Sequence, residues 1–113
     1  MKDLQLDFNG SEMEWEDLGG GLSRQIMGYD KRIMMVKVKF EKGGVGALHS
    51  HPHSQVTYCA SGRFEFTIEG EKKIVSSGDG LYIPPDAEHG AVCLEAGVVV
   101  DVFSPHREDF LNL

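Results

Sequence analysis

The sequence predicts an all-β protein, a sandwich or small barrel of short strands. Three observations carry this. Glycine makes up 14 of 113 residues, about 12% against an average of about 7%, so turns are frequent. From residue 32 onward, short runs rich in β-branched or aromatic residues recur between turn residues, the spacing of sandwiches and small barrels. A helical period of apolar residues appears nowhere before the C-terminal end. A length of 113 residues supports one domain of about 100–150 residues.

Residues 1–31 read as an N-terminal arm or as edge strands packing on a barrel formed by residues 32–113. The first thirty residues carry seven acids and two bases. Met13 and Trp15 alternate with Glu12, Glu14 and Glu16, which predicts an edge strand with one apolar face, or else a solvated acidic arm. In IMMVKVKF, residues 33–40, Met34, Val36, Val38 and Phe40 alternate with Met35, Lys37 and Lys39. That is the period of a half-buried strand. QVTYCA, RFEFTI, KIV, LYI, AVCLE and VVVDVF follow, separated by turns at 41–46, 61–62, 69–72 and 76–80. The chain then changes character. Ser104-Pro105 has the pattern of a helix cap followed by proline at the first helical position, so HREDFLNL predicts a short C-terminal helix docked through Phe110 and Leu111 or Leu113.

Composition narrows the function. The net charge is −7 and no basic run exceeds a pair, which is unfavourable for binding a phosphate backbone, so no nucleic-acid partner is expected. No apolar run approaches the ~20 residues of a membrane helix, and MKDLQLDFNG lacks the pattern of a secretory signal. A cytoplasmic protein without a membrane partner is expected. Cys59 and Cys93 read as buried reduced thiols, because two cysteines without CxxC spacing make no disulfide framework.

The histidines carry the strongest chemical signal. His49, His51 and His53 lie in LHSHPHSQ, and His89 follows forty residues after His49. On an extended strand every second side chain shares a face, so His49, His51 and Gln55 point the same way. With His89 from another strand they offer three nitrogens and one oxygen, a donor set for one divalent transition metal. The bland alternative is a surface patch of histidines. His53 is left out of the set because Pro52 disturbs the strand, and His106 has no evident partner. Near the end, Asp101 and Phe103 share a strand face opposite Val100 and Val102. A carboxylate inside such a strand needs a partner. Arg107 is the candidate, either as a structural ion pair with Asp101 or as a two-pronged binder of a substrate carboxylate.

Gly43, His49, His51, Gln55 and Gly62 match the spacing of the first cupin motif, Gly-x5-His-x-His-x3-Glu-x6-Gly, with glutamine at the glutamate position. Gly78, Pro84 and His89 match the second motif, with Asp86 and Cys93 where glycine and asparagine are usual. Residues 32–104 thus resemble a cupin. That resemblance implies a double-stranded β-helix, or jelly-roll barrel, with a metal in its mouth.

HSHPHSQ and DVFSPHREDF together resemble the small single-domain cupins related to the pectin-degradation protein group that linearises unsaturated uronates. The resemblance implies metal ligands at His49, His51, Gln55 and His89, and residues needed for turnover at Asp101, Phe103 and Arg107. Ser54 stands where that group often has glutamate. The expected activity is a metal-dependent isomerase or tautomerase acting on a small anionic sugar, with zinc, nickel, manganese or iron as the ion. A metal-dependent dioxygenase and a non-catalytic small-molecule-binding cupin are the alternatives. A homodimer pairing through the Met13/Trp15 edge is expected.

Overall fold

The computed structural model describes residues 4–111, whose strands form two antiparallel sheets. In chain order they are β1 (Glu16–Gly19), β2 (Leu22–Asp30), β3 (Ile33–Phe40), β4 (Val45–His49), β5 (Ser54–Cys59), β6 (Arg63–Ile68), β7 (Glu71–Ser76), β8 (Gly80–Ile83), β9 (His89–Glu95) and β10 (Gly97–Ser104). The larger sheet runs β1-β2-β3-β10-β5-β8 and the smaller β4-β9-β6-β7. The all-β cupin-type barrel predicted from sequence is the observed architecture. Among the described residues no helix is long and apolar enough to cross a membrane.

Alternation in sequence becomes alternation in burial. Along β3, Met34, Val36 and Phe40 are buried while Ile33, Met35 and Lys39 are exposed. The two inner faces meet in one core: Phe40, Cys59 and Val99 from the larger sheet pack on Phe64, Phe66, Val75, Ala91 and Cys93 from the smaller. Phe40 and Phe64 cross edge to face at 5.1 Å, a geometry that adds about 0.5–1.5 kcal/mol to the burial itself. Both cysteines are free and buried here, and burial raises their thiol pKa values. A second cluster of Met34, Val36 and Phe103 receives Phe110 and Leu111 from the C terminus.

Turn glycines hold the connections in place. Gly62 has φ +83°, and a Cβ there would meet the Glu95 carbonyl oxygen at 2.5 Å. Only glycine fits such a crowded left-handed position. Asp86, at the place where the cupin motif usually has glycine, also takes a positive φ of 66°, which aspartate tolerates better than most residues.

Two expectations are corrected. The C-terminal segment is no α-helix but a 3-10 turn, Glu108–Leu111. Ser104 does not cap it, because Ser104 is the last residue of β10, paired with Ser54, and its hydroxyl donates to the Arg32 carbonyl at 2.6 Å. Leu113 lies outside the described residues. At the other end, Met13 and Trp15 precede the strand, which starts at Glu16 after a 3-10 turn, Gly10–Glu12. They are nonetheless half-buried while Glu12, Glu14 and Glu16 are exposed. Trp15 lies against the ammonium groups of Lys39 at 4.3 Å and Lys37 at 5.4 Å. Buried Gln25 pins the arm by donating to the carbonyls of Gly10 and Met13.

Candidate functional site

Three histidines converge between the ends of β4 and β9. His49 is the last residue of β4 and stands directly across from His89, the first residue of β9. His51 lies beyond the strand, in the connection to β5, so the strand-face argument from sequence is corrected. Its place is fixed instead by the Pro84-Pro85 turn, where the Asp86 amide donates to the His51 carbonyl at 2.8 Å. The ring centroids are 4.4 Å apart for His49–His89, 4.9 Å for His51–His89 and 5.6 Å for His49–His51. One ligand atom from each lies within 4.8 Å of the others, a group that can hold a metal ion.

Hydrogen bonds set which nitrogens face inward. His49 Nδ1 donates to the Ala47 carbonyl at 2.8 Å and His89 Nδ1 to the Ala87 carbonyl at 2.9 Å. Nδ1 must carry a proton in both, because a carbonyl only accepts, so Nε2 is the nitrogen through which either ring can bind an ion. His89 Nε2 is buried with no hydrogen-bond partner among the described residues. Burying an unsatisfied acceptor is costly, and an ion is the natural partner for it. His51 Nε2 stands 2.9 Å from Gln55 Oε1 on β5, close to the ~3 Å between neighbouring ligand atoms each bound at about 2.1 Å. Burial, with a smaller contribution from the Arg107 charge, lowers the His51 pKa to about 4. Burial lowers that of His89 as well. Both rings are therefore neutral at pH 7 and available as ligands. Three imidazole nitrogens and an amide oxygen suit a divalent transition metal.

Asp101 reaches the same place from β10. It pairs across the ladder with Thr57 of β5, and its Oδ1 accepts from Thr57 Oγ1 at 2.6 Å and Gln55 Nε2 at 3.2 Å. Burial raises its pKa from 3.8 to about 6, against the opposing pull of those two hydrogen bonds and of Arg107. Arg107 is not its ion-pair partner. Arg107 Nε and Nη2 form a fork with the carboxylate of Asp109 at 3.1 and 2.9 Å. Phe103 is buried, edge-on to His51 at 5.7 Å and to Phe110 at 5.7 Å. The Arg107 guanidinium lies over both phenylalanine rings.

A cavity of about 240 Å³ is lined by His49, Gln55, His89, Asp101, Phe103 and Arg107 among others. His53 turns elsewhere, with Nε2 3.1 Å from the His106 carbonyl. His106 does have partners: it stacks on Tyr29 at 6.1 Å, and its Nδ1 lies 3.2 Å from the Lys31 carbonyl. Sequence reasoning missed Thr57 and Arg24. Thr57 left a signal, a polar residue two places from Gln55 and from Cys59 on a strand whose inner face is otherwise filled. Arg24 left none, because its place in the cavity wall depends on a hairpin that the sequence does not announce.

The Cupin domain family matches residues 36–103. The pectin degradation protein KdgF of Dickeya dadantii is 46% identical over 106 residues, covering 92% of this chain and 96% of the relative. Among solved structures, an RmlC-like cupin from Shewanella frigidimarina superposes with a TM-score of 0.91 at 44% identity, covering 97% of this chain and 99% of that one. KdgF from Halomonas sp. gives 0.90 at 39% identity, covering 95% and 99%.

Proposed function

Since the chain belongs to the cupin family, we propose that it is a metal-dependent enzyme that linearises 4,5-unsaturated uronates, opening the sugar ring and tautomerising the product. The observation that carries this reading is that Gln55 spans the gap between His51 and Asp101. Two histidines of the cluster, His49 and His89, and a proton-transfer carboxylate thereby face one cavity. The likeness to KdgF, a protein named for pectin degradation, supports a substrate from that class.

The chemistry makes two demands. Loss of the anomeric hydroxyl proton breaks the bond from carbon 1 to the ring oxygen, leaving an aldehyde and an enolate. Protonation at carbon 4 then gives the 4-deoxy-5-keto acid, an isomer of the substrate, so no co-reactant enters. His49, His51, Gln55 and His89 would hold the ion, which supplies Lewis-acid stabilisation of negative charge on oxygen. Asp101 takes and returns the proton. Its raised pKa of about 6 suits both directions near neutrality, because a carrier works best with a pKa close to the working pH. Arg107 holds the substrate carboxylate through the guanidinium donors that Asp109 leaves free. Phe103 walls the cavity and keeps water from the enolate.

A cytoplasmic homodimer is part of the same reading, and light scattering at working concentration tests the dimer. The reaction is tested by adding metal-loaded protein to 4,5-unsaturated galacturonate and following the enolic absorbance. Accelerated decay to the open-chain product supports the assignment, and decay at the rate in buffer removes this substrate.

A further inference from the structure

Two guanidinium groups share the Phe110 ring. Arg24 Cζ lies 4.0 Å from its centroid and Arg107 Cζ 4.2 Å, and both arginines line the cavity that holds His49, His89 and Asp101. Each is held from outside by a more exposed carboxylate. Arg24 Nε donates to Glu16 Oε1 at 2.6 Å, with side chains 14% and 48% exposed. Arg107 and Asp109 repeat the arrangement at 10% and 61%. A guanidinium carries five N–H donors, and Arg24 uses one. Its two terminal nitrogens make no hydrogen bond among the described residues. A half-buried guanidinium whose terminal donors are free at a cavity wall is suited to a two-pronged acceptor that arrives with a ligand.

The β1–β2 hairpin explains how Arg24 comes to be there. Glu16 and Arg24 are partners across the ladder, and the register slips between Asp17 and Gly19. The slip leaves Leu18 unpaired, and Leu18 too lines the cavity. Bulges next to a site commonly re-aim side chains in this way. The hairpin therefore supplies one wall of the cavity, with an apolar contact and a cation side by side.

We propose that Arg24 is a substrate-binding residue which, together with Arg107, forms a two-arginine recognition site for a carboxylate, so that the cavity selects sugar acids over neutral sugars. This rests on the reading of the site as one for uronates and deepens it. Charge makes the same demand: at −7 overall the field of the whole protein opposes an anion, and attraction must come from oriented local cations. The competing role for Arg24 is a staple between the hairpin and Phe110, made of the same contacts.

The two roles separate by binding. Metal-loaded wild type, Arg24→Gln and Arg24→Lys are titrated calorimetrically with galacturonate and with its neutral methyl ester, alongside thermal melts and kinetics on unsaturated galacturonate. Arg24→Gln is expected to weaken galacturonate binding about 10- to 100-fold, leave the ester unaffected, and raise KM more than it lowers kcat. Arg24→Lys, which keeps the charge but not the planar fork, recovers part of the loss and stands in if the glutamine variant does not fold. Equal weakening of acid and ester, a fall in melting temperature alone, or no binding of galacturonate by the wild type overturns the inference. Arg24-dependent binding without turnover sinks the proposed reaction and leaves the carboxylate site standing.

Discussion

Gln55 Nε2 donates to Asp101 Oδ1 at 3.2 Å, while the other end of the same amide, Oε1, lies 2.9 Å from His51 Nε2. An amide offers an acceptor on one side and a donor on the other, whereas an ionised carboxylate only accepts. The cupin motif has glutamate here, and a glutamate would set two carboxylates against each other. Asp101 thus gives a physical reason for the glutamine. Gln55→Glu is expected to keep its metal and to lower kcat by about 10²-fold or more, since a neighbouring like charge holds Asp101 protonated. Metal equivalents and kcat from one preparation check this, and an unimpaired variant would show that the amide's donor side does nothing for turnover.

Asp101→Asn removes the proposed proton carrier and little else. The amide is isosteric and still accepts the Thr57 hydroxyl through its oxygen. Metal content is expected to equal that of wild type while kcat falls about 10²–10⁴-fold. A variant that turns over normally would return Asp101 to a purely structural role.

The raised pKa of Asp101 also has a signature in stability. Its carboxyl titrates at about 6 in the folded chain, chiefly through burial, against 3.8 as a free group. Between those values the folded state holds a proton that the unfolded state has released, so stability from this group is greatest at low pH and declines as pH rises through about 6. In metal-free protein, the unfolding free energy of wild type minus that of Asp101→Asn is expected to fall between about pH 4 and pH 7 by on the order of 1–3 kcal/mol. Urea titrations at several pH values measure it. A flat difference would mean an unshifted carboxyl.

Gly90 tests the spacing of the histidines without touching them. A Cβ there would come within 2.7 Å of the Gly46 carbonyl oxygen and 3.1 Å of the Leu48 amide nitrogen, pushing β4 away from β9. His49 and His89 face each other across that seam. Gly90→Ala is expected to cost about 1–3 kcal/mol and to weaken zinc binding, read from melts and from competition with a chromophoric chelator. Wild-type zinc affinity in this variant would show that the cluster does not depend on the seam.

The strands from 33 to 104 were legible wherever local preference and tertiary environment agree, as in β3, β5, β6 and β10. β2 and β4 were not, because RQIMGYD and VGALH contain glycine and few β-branched residues and are held by pairing with β3 and β9. The Ser104-Pro105 signature misled because the ladder and the Arg32 carbonyl already use Ser104. Spacing marked the histidines that come together, but it could not show that His51 leaves the strand. Nor could it show that Arg107 pairs with Asp109 rather than Asp101. Both depend on contacts formed after the chain turns a corner.

The histidine cluster and Asp101 are proposed to act together on one substrate. The most direct measurement is the rate of enolic absorbance loss from 4,5-unsaturated galacturonate, taken with protein purified without an affinity tag, then stripped by chelator, then reloaded with one equivalent of a divalent metal. Fast loss, loss at the buffer rate after stripping, and recovery on reloading are expected, with the open-chain keto acid as the product by NMR. Stripped protein as active as reloaded protein, or reloaded protein no faster than buffer, would contradict it.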